Sequence, residues 1–343
     1  MATNNDAQFG LKCAAGSLAL LRVPLLQYQY NERELVFTHQ KVKLYHYQAT
    51  TAKTSKIPLL VVFATVNRPE ILDLFPETSF IRGLLDQGQD VYLLDWGYPD
   101  LSDQDQDMGY YVHHLLHPTL KALCEKTKHS KINVLGICQG GLLTLCYASL
   151  YDHIAKLILV SAPIDFKTED NLIAKFVQRI DFNLLIDIFG NVPGKWLSQF
   201  FISLRPVELI GKKYFNFVNN IQNETATEKF LQVEKWLQDA PDQTGAWFRQ
   251  FAKECYGENR LIKGTLRLSE KIVDLAKLHL PILNIVASED EIIPASSSRA
   301  LKLYAVNAKY TELSFQSGHI GIYISEKVGK ALPKAVAAWL NEK

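Results

Sequence analysis

The chain has 343 residues, enough to bury a substantial core, and its 37 basic side chains nearly cancel 36 acidic ones. That balance excludes a global field favouring nucleic acid or an anionic membrane surface. Five cysteines, Cys13, Cys124, Cys138, Cys146 and Cys255, form an odd set without zinc-like spacing, which points to a reducing, cytoplasmic setting.

Residues 12–21 faintly suggest a secretory signal, but Asp6 precedes them, Arg22 interrupts them and no small-residue cleavage site follows. An N-terminal helix or strand is expected instead. No run in the sequence reaches the roughly 18 apolar residues that a membrane span requires. Residues 34–37 and 42–47 alternate as early antiparallel strands, whereas 58–64 and 91–95 are continuous apolar strands suited to a sheet covered on both faces. Helical segments lie between them, a further strand is expected at 131–135, a helix at 142–150 and another strand at 155–161. This alternation predicts a doubly wound, mostly parallel α/β sheet.

From Asp165 to Leu280 the sheet pattern stops. Leu172, Ile173, Phe176, Val177, Ile180 and Leu184 recur there at helical spacing, and Phe182, Phe189, Phe200, Phe201, Phe215 and Phe217 add aromatic bulk. A second helical layer of core would show the same periodicity. The position between two sheet strands favours a mainly helical cap at 165–280 inserted into a catalytic core of 1–164 and 281–343. The sheet resumes at 281–287 and 308–315, with a helix expected over 295–305.

The chemistry centres on Gly136-Ile-Cys138-Gln-Gly-Gly141, which stands between a strand and a helix. That is the setting of a nucleophile elbow, where glycines flank a strained residue whose side chain is pushed out above the sheet. A thiol at a helix N-terminus is expected to gain thiolate character from the helix dipole. On this hexapeptide alone, a buried structural cysteine beside a glycine-rich turn remains the other reading. Downstream, Asp290 follows one predicted strand and His319 follows the next, in the order nucleophile, acid, histidine of the α/β-hydrolase fold. Glu289 is the nearest competitor for the acid and ranks below Asp290. The oxyanion donors expected are the backbone N–H groups of Gln139 and, from the loop after the 58–64 strand, Val66.

Other signals weigh less. His113, His114 and His117 include an i, i+4 pair but lack the Glu of His-Glu-x-x-His, so no metal is expected. Asp95-Trp96-Gly97 reads as a packing turn that can shape the pocket. Arg68 reads equally as solvated or as a contact for an anionic substrate. No Gly-Lys-Ser/Thr follows Gly140-Gly141, so a phosphate loop is not expected.

Asn67-Arg-Pro, Asp95-Trp-Gly-Tyr-Pro-Asp100, Leu135-Gly-Ile-Cys-Gln-Gly-Gly141, Gly190-Asn-Val-Pro-Gly194, Pro241-Asp-Gln-Thr-Gly245 and Gly318-His-Ile-Gly-Ile-Tyr323 together resemble the polyhydroxyalkanoate synthases over residues 58–340. The Ile-Cys-Gln form of the box and the short chain resemble their class III branch. Glu291 stands where that family commonly has His, and Ser317 where this branch commonly has Gly. The resemblance implies an acyltransferase that polymerises 3-hydroxyacyl-coenzyme A, chiefly 3-hydroxybutyryl-coenzyme A, through a Cys138-bound acyl-enzyme. Asp290 and His319 would complete the triad, and coenzyme A is a product, with no cofactor implied. It also implies a growing polyester chain, a second non-catalytic subunit, a homodimer or hetero-oligomer, and residence at the surface of cytoplasmic polymer granules. A cysteine hydrolase of esters or lactones on the same fold is the alternative. A catalytically silent granule-surface protein ranks third.

Overall fold

The computed structural model describes residues 4–28, 31–48, 51–52, 56–177, 179–203 and 211–342, the side chains of 4–7 excepted. Gln178 and residues 204–210 of the expected insertion lie outside the described residues. After an N-terminal helix, Asn4–Leu20, come β1 (Arg33–His39), β2 (Val42–Tyr47), β3 (Leu59–Val62), β4 (Val91–Asp95), β5 (Ile132–Ile137) and β6 (Ile154–Val160). A long helical stretch then carries the short strands β7 (Arg267–Leu268) and β8 (Lys271–Ile272), and β9 (Pro281–Ala287) and β10 (Lys309–Phe315) follow.

Eight strands form one sheet in the order β1-β2-β4-β3-β5-β6-β9-β10. The β1–β2 and β2–β4 pairs are antiparallel, and every pairing from β4 onward is parallel. The unbroken apolar character of β3, β4 and β5 follows from this position, since every residue of the three strands is buried and both faces need apolar side chains. One face packs on the helices His117–Thr127 and Gln139–Leu150 through residues such as Leu120 and Leu143. The other packs on Phe80–Asp86 and Glu326–Asn341 through Phe80, Leu84 and Leu332. Those two helices approach closely because position 83 is glycine: a Cβ there would lie 2.5 Å from Pro333 Cγ.

Several elements depart from the sequence expectation. The periodic run from Leu172 divides into helices Leu172–Val177 and Phe182–Phe189. Asp181 starts the second, its Oδ1 accepting the backbone N–H groups of Asn183 and Leu184 at 3.0 and 3.2 Å, which caps a helix that periodicity alone runs together. The segment expected to be one helix over 295–305 comprises Ala295–Arg299 and Leu301–Tyr304. Between β6 and β9, helices Gly194–Ser203, Lys213–Asn219, Glu224–Gln238 and Gly245–Gln250 dominate, joined by the two-stranded β7–β8 ribbon that alternation did not signal.

Candidate active site

β5 ends at Ile137 and the next helix begins at Gln139, so the turn falls on Cys138, whose φ of 52° and ψ of −121° are strained for a residue with a side chain. The surroundings hold it there. Its N–H donates to Val160 O at 3.0 Å, and its carbonyl accepts from Leu142 N at 3.1 Å. The glycines are required by close approach: a Cβ at Gly136 would lie 2.2 Å from Thr144 Oγ1, and one at Gly140 2.3 Å from Val62 O. The helix therefore starts against the end of β3. Cys138 is only 7% exposed and opens into an apolar cavity of about 170 Å³, bordered by Val66, Val177, Phe201, Phe251 and Tyr256.

Parallel β9 and β10 bring the acid and the histidine to the same end of the sheet. His319 Nδ1 donates to Asp290 Oδ2 at 2.6 Å, while Asp290 Oδ1 accepts from Ile292 N and Ile293 N at 3.0 and 2.9 Å. Burial on its own would push the imidazole pKa down. The Asp290 carboxylate, which is hydrogen-bonded to the ring, and the Cys138 sulfur outweigh burial and hold it well above the usual histidine value. Because Asp290 takes the Nδ1 proton, the other ring nitrogen is left for the sulfur. Glu289 points to solvent, where Gln316 Nε2 donates to it at 2.9 Å, so it does not share the acid's place. Cys146 and Cys255 are fully buried, and burial raises their thiols, that of Cys146 to about 12 and that of Cys255 well above its ordinary value. Both are poor nucleophiles.

Val66 and Gln139, the residues of the two expected oxyanion donors, border the same cavity as Cys138, but one donor is engaged. Val66 N donates to the Gln139 side-chain oxygen at 3.1 Å, and Thr65 Oγ1 lies 2.8 Å from that same oxygen and 2.9 Å from Gln243 Oε1. Gln243 Nε2 donates in turn to Thr65 O at 2.6 Å. Sequence reasoning missed this role for Thr65 and Gln243, although the segment Pro241 to Gly245 was the signal that could have found it.

Arg68 is neither solvated nor directed at a substrate. It is 6% exposed, its Nη1 and Nη2 donate to Asp95 Oδ1 and Oδ2 at 2.7 and 2.8 Å, and Nη2 also meets Glu70 at 3.2 Å. The Arg68 carbonyl accepts from Trp236 Nε1 at 2.7 Å, which ties the loop after β3 to the helix Glu224–Gln238. Trp96 Nε1 donates to Phe63 O at 2.9 Å, so the Asp95-Trp96-Gly97 turn braces the same loop. A seam continues from there. Asn191 Nδ2 donates to Asp100 O at 2.8 Å, Val192 and Gln243 pair through their backbones, Gly194 N donates to Asp242 Oδ1 at 2.9 Å, and Thr244 Oγ1 donates to Gln106 O at 2.6 Å. His113 and His117 lie elsewhere, on a π-helix and the α-helix after it, and contact the hydroxyls of Tyr151 and Tyr147 at 2.7 and 3.1 Å.

Parallel strands carrying a cysteine elbow, then the acid, then the histidine define an α/β-hydrolase-fold protein with sulfur at the nucleophile position. The family described as alpha/beta hydrolase fold matches residues 68–325. Among solved structures, a thermophilic esterase from Thermogutta terrifontis aligns with a TM-score of 0.52 at 16% identity, over 90% of this chain and 98% of that one. A hydrolase from Pseudomonas aeruginosa aligns at 0.50 and 14% identity, over 92% and 100%. The family described as poly-beta-hydroxybutyrate polymerase (PhaC) N-terminus matches residues 29–84. Poly(3-hydroxyalkanoate) polymerase subunit PhaC of Thiocystis violacea is 41% identical over 97% of this chain and 94% of its own. The proteins of that name from Allochromatium vinosum and Synechocystis sp. are 40% and 39% identical, over 99% and 93% of this chain and 97% and 86% of their own. The chain belongs to the poly(3-hydroxyalkanoate) polymerase subunit PhaC family, with its short class III members.

Proposed function

We propose that the chain polymerises 3-hydroxyacyl-coenzyme A, chiefly 3-hydroxybutyryl-coenzyme A, through a Cys138-bound acyl-enzyme. The observation that carries this reading is the hydrogen-bonded Asp290 and His319 beside a strained, cavity-facing Cys138 in a PhaC-family chain. His319 holds the proton of the Cys138 thiol, and the sulfur attacks the thioester carbonyl. As the tetrahedral intermediate collapses, the bond to coenzyme A sulfur breaks and His319 returns the proton to that leaving thiolate. One thioester replaces another, so transfer potential is kept. The 3-hydroxyl of the next monomer then gives its proton to His319, attacks the Cys138 thioester and forms an oxygen ester as the Cys138–acyl bond breaks. The elongated acyl-coenzyme A reloads Cys138. Asp290 orients the ring and stabilises its protonated form. The backbone N–H groups of Gln139 and Val66 serve the oxyanion.

Residues 165–280 act as a cap, a reading supported by Ile173, Val177, Phe201 and Tyr256 from that stretch bordering the cavity over Cys138. Coenzyme A cannot enter so small a space, so the cap has to move. Hydrogen exchange in the cap helices should be fast in the isolated chain and slow when a partner or substrate analogue binds; exchange as slow as in the sheet, unchanged on activation, refutes it. A second, non-catalytic subunit is the expected partner, in keeping with the word subunit in the relatives' names. Exposed Leu184 and Ile188, with Trp196 at the cavity edge, give the cap an apolar outer surface suited to a polymer granule. The deciding assay incubates 3-hydroxybutyryl-coenzyme A with the chain, co-purified with a non-catalytic class III subunit. Free coenzyme A with polymer supports the proposal. Free coenzyme A with monomer acid identifies a hydrolase, and neither product identifies a silent surface protein.

A further inference from the structure

We infer that the Gln139 side chain masks one of the two oxyanion donors, and that the Gln139, Thr65 and Gln243 contacts couple the unmasking of that donor to the insertion. This rests on the reading of Cys138 as the acylated nucleophile. Gln139 therefore has two separable parts. Its backbone N–H is an oxyanion donor, whereas its side chain is a positioning group.

The geometry begins at Val66. A backbone N–H aimed at a developing oxyanion has to be available to it, but this one donates to Gln139 Oε1 at 3.1 Å. The Gln139 amide borders the same cavity as Cys138 and Val66, so it lies where an incoming acyl group must pass. Substrate can use the Val66 donor only after that amide swings aside.

The third member of the network keeps the swing inexpensive. A threonine hydroxyl has one proton to give. Thr65 Oγ1 faces two buried amide oxygens, Gln139 Oε1 at 2.8 Å and Gln243 Oε1 at 2.9 Å, and can serve one at a time. Gln243 cannot easily leave: it is 2% exposed, its Nε2 donates to Thr65 O at 2.6 Å, and its backbone pairs with Val192. When Gln139 withdraws, the Thr65 proton passes wholly to Gln243, and the freed Val66 N–H is taken up by the oxyanion. The mask is exchanged for transition-state contacts, which is the form in which binding energy raises rate. Gln243 belongs to the insertion. A closer Gln243 draws the Thr65 proton away from Gln139 and loosens the mask, so the insertion sets how available the second donor is.

Two substitutions should act with opposite sign. Gln139→Met keeps the backbone N–H and removes the masking oxygen, so coenzyme A release in the first turnover should rise about three- to tenfold, the factor that one neutral hydrogen bond supplies. Gln243→Leu commits the Thr65 proton to Gln139 and should slow that burst by a similar factor. Backbone amide exchange followed by NMR reads the mask without catalysis: Val66 should exchange faster than wild type in Gln139→Met and no faster in Gln243→Leu. A burst slowed or unchanged in both variants, or Val66 exchange unaltered by Gln139→Met, overturns the inference. Coenzyme A release that survives Cys138→Ala would instead overturn the nucleophile assignment, an outcome to which the exchange measurement is indifferent.

Discussion

Replacing Asp290 by Asn changes one atom's chemistry and leaves its shape. The Asn carbonyl can still accept from Ile292 N and Ile293 N, as Asp290 Oδ1 does at 3.0 and 2.9 Å, so the loop should keep its form. The amide NH₂ then faces His319 Nδ1, where a carboxylate oxygen lies at 2.6 Å in the wild type. Two donors cannot share that contact, so the ring must present a bare Nδ1 and carry its proton on the nitrogen facing Cys138. A histidine in that tautomer cannot take the thiol proton, and it has lost the carboxylate that holds its pKa up. A positioned general base is worth about 10²- to 10⁴-fold, and the two half-reactions should draw on different ends of that range. Loading takes its proton from a thiol, a stronger acid than any alcohol, and expels a thiolate, so it should slow by about 10²-fold. Elongation must deprotonate an aliphatic hydroxyl and should slow by about 10⁴-fold. Rapid-quench measurement of the coenzyme A burst beside steady-state polymer formation separates the two. Equal losses in both would make Asp290 a purely structural acid, and full activity would return the role to Glu289 despite its exposure.

Cys138→Ala should abolish covalent loading with the fold intact, while Cys146→Ala should load normally; mass spectrometry of the acylated peptide decides between the sulfurs. Arg68→Leu leaves Asp95 and Glu70 buried without their guanidinium and should cost about 3–5 kcal/mol, read by denaturant unfolding, and a loss under about 1 kcal/mol would mean that the cluster does not brace the oxyanion loop. His319 gains affinity for its proton on folding, so its contribution to stability is complete below the unfolded value of 6.5 and is lost as pH rises through the raised folded value. The stability gap between wild type and His319→Gln should therefore narrow with rising pH across that interval, and a gap that widens would reverse the assigned shift.

The sheet was readable because burial on both faces turns β3, β4 and β5 into unbroken apolar runs, and the alternation of β and α elements implies parallel crossovers. The elbow was readable for a related reason: a helix that starts against β3 tolerates no Cβ at positions 136 and 140, so the packing writes glycine into the sequence. Order along the chain distinguished Asp290 and His319 from other carboxylates and imidazoles. Partnerships between distant polar groups were not readable. Arg68 carries the same formula whether it faces water or Asp95, and Gln139 meets Thr65 from 74 residues away, and Thr65 in turn meets Gln243 across 178. The break between Val177 and Phe182 was hidden because both short helices keep their apolar residues in one phase.

The seam between the 190–194 and 241–245 segments also defines what can be exchanged between members of the family. Gly190, Gly194 and Gly245 each sit where a Cβ would lie under 3 Å from a neighbouring atom: Gln104 Oε1 at 2.7 Å, Ala240 O at 2.2 Å and Gly190 O at 2.0 Å. The Gly194 and Gly245 contacts are with backbone atoms and admit no gradual repacking, and Gly190, whose neighbour is a side chain, holds a φ of 73° that favours glycine. Exposed Leu184, Ile188 and Trp196, on the helices Phe182–Phe189 and Gly194–Ser203, lie outside those glycine contacts. A chimera that replaces those exposed side chains while retaining both sides of the seam should preserve the loop after β3. One that joins the seam's two sides from different parents breaks the frame on which that loop is built. The outer surface can thus vary in sequence while the frame beneath it remains a single inherited unit.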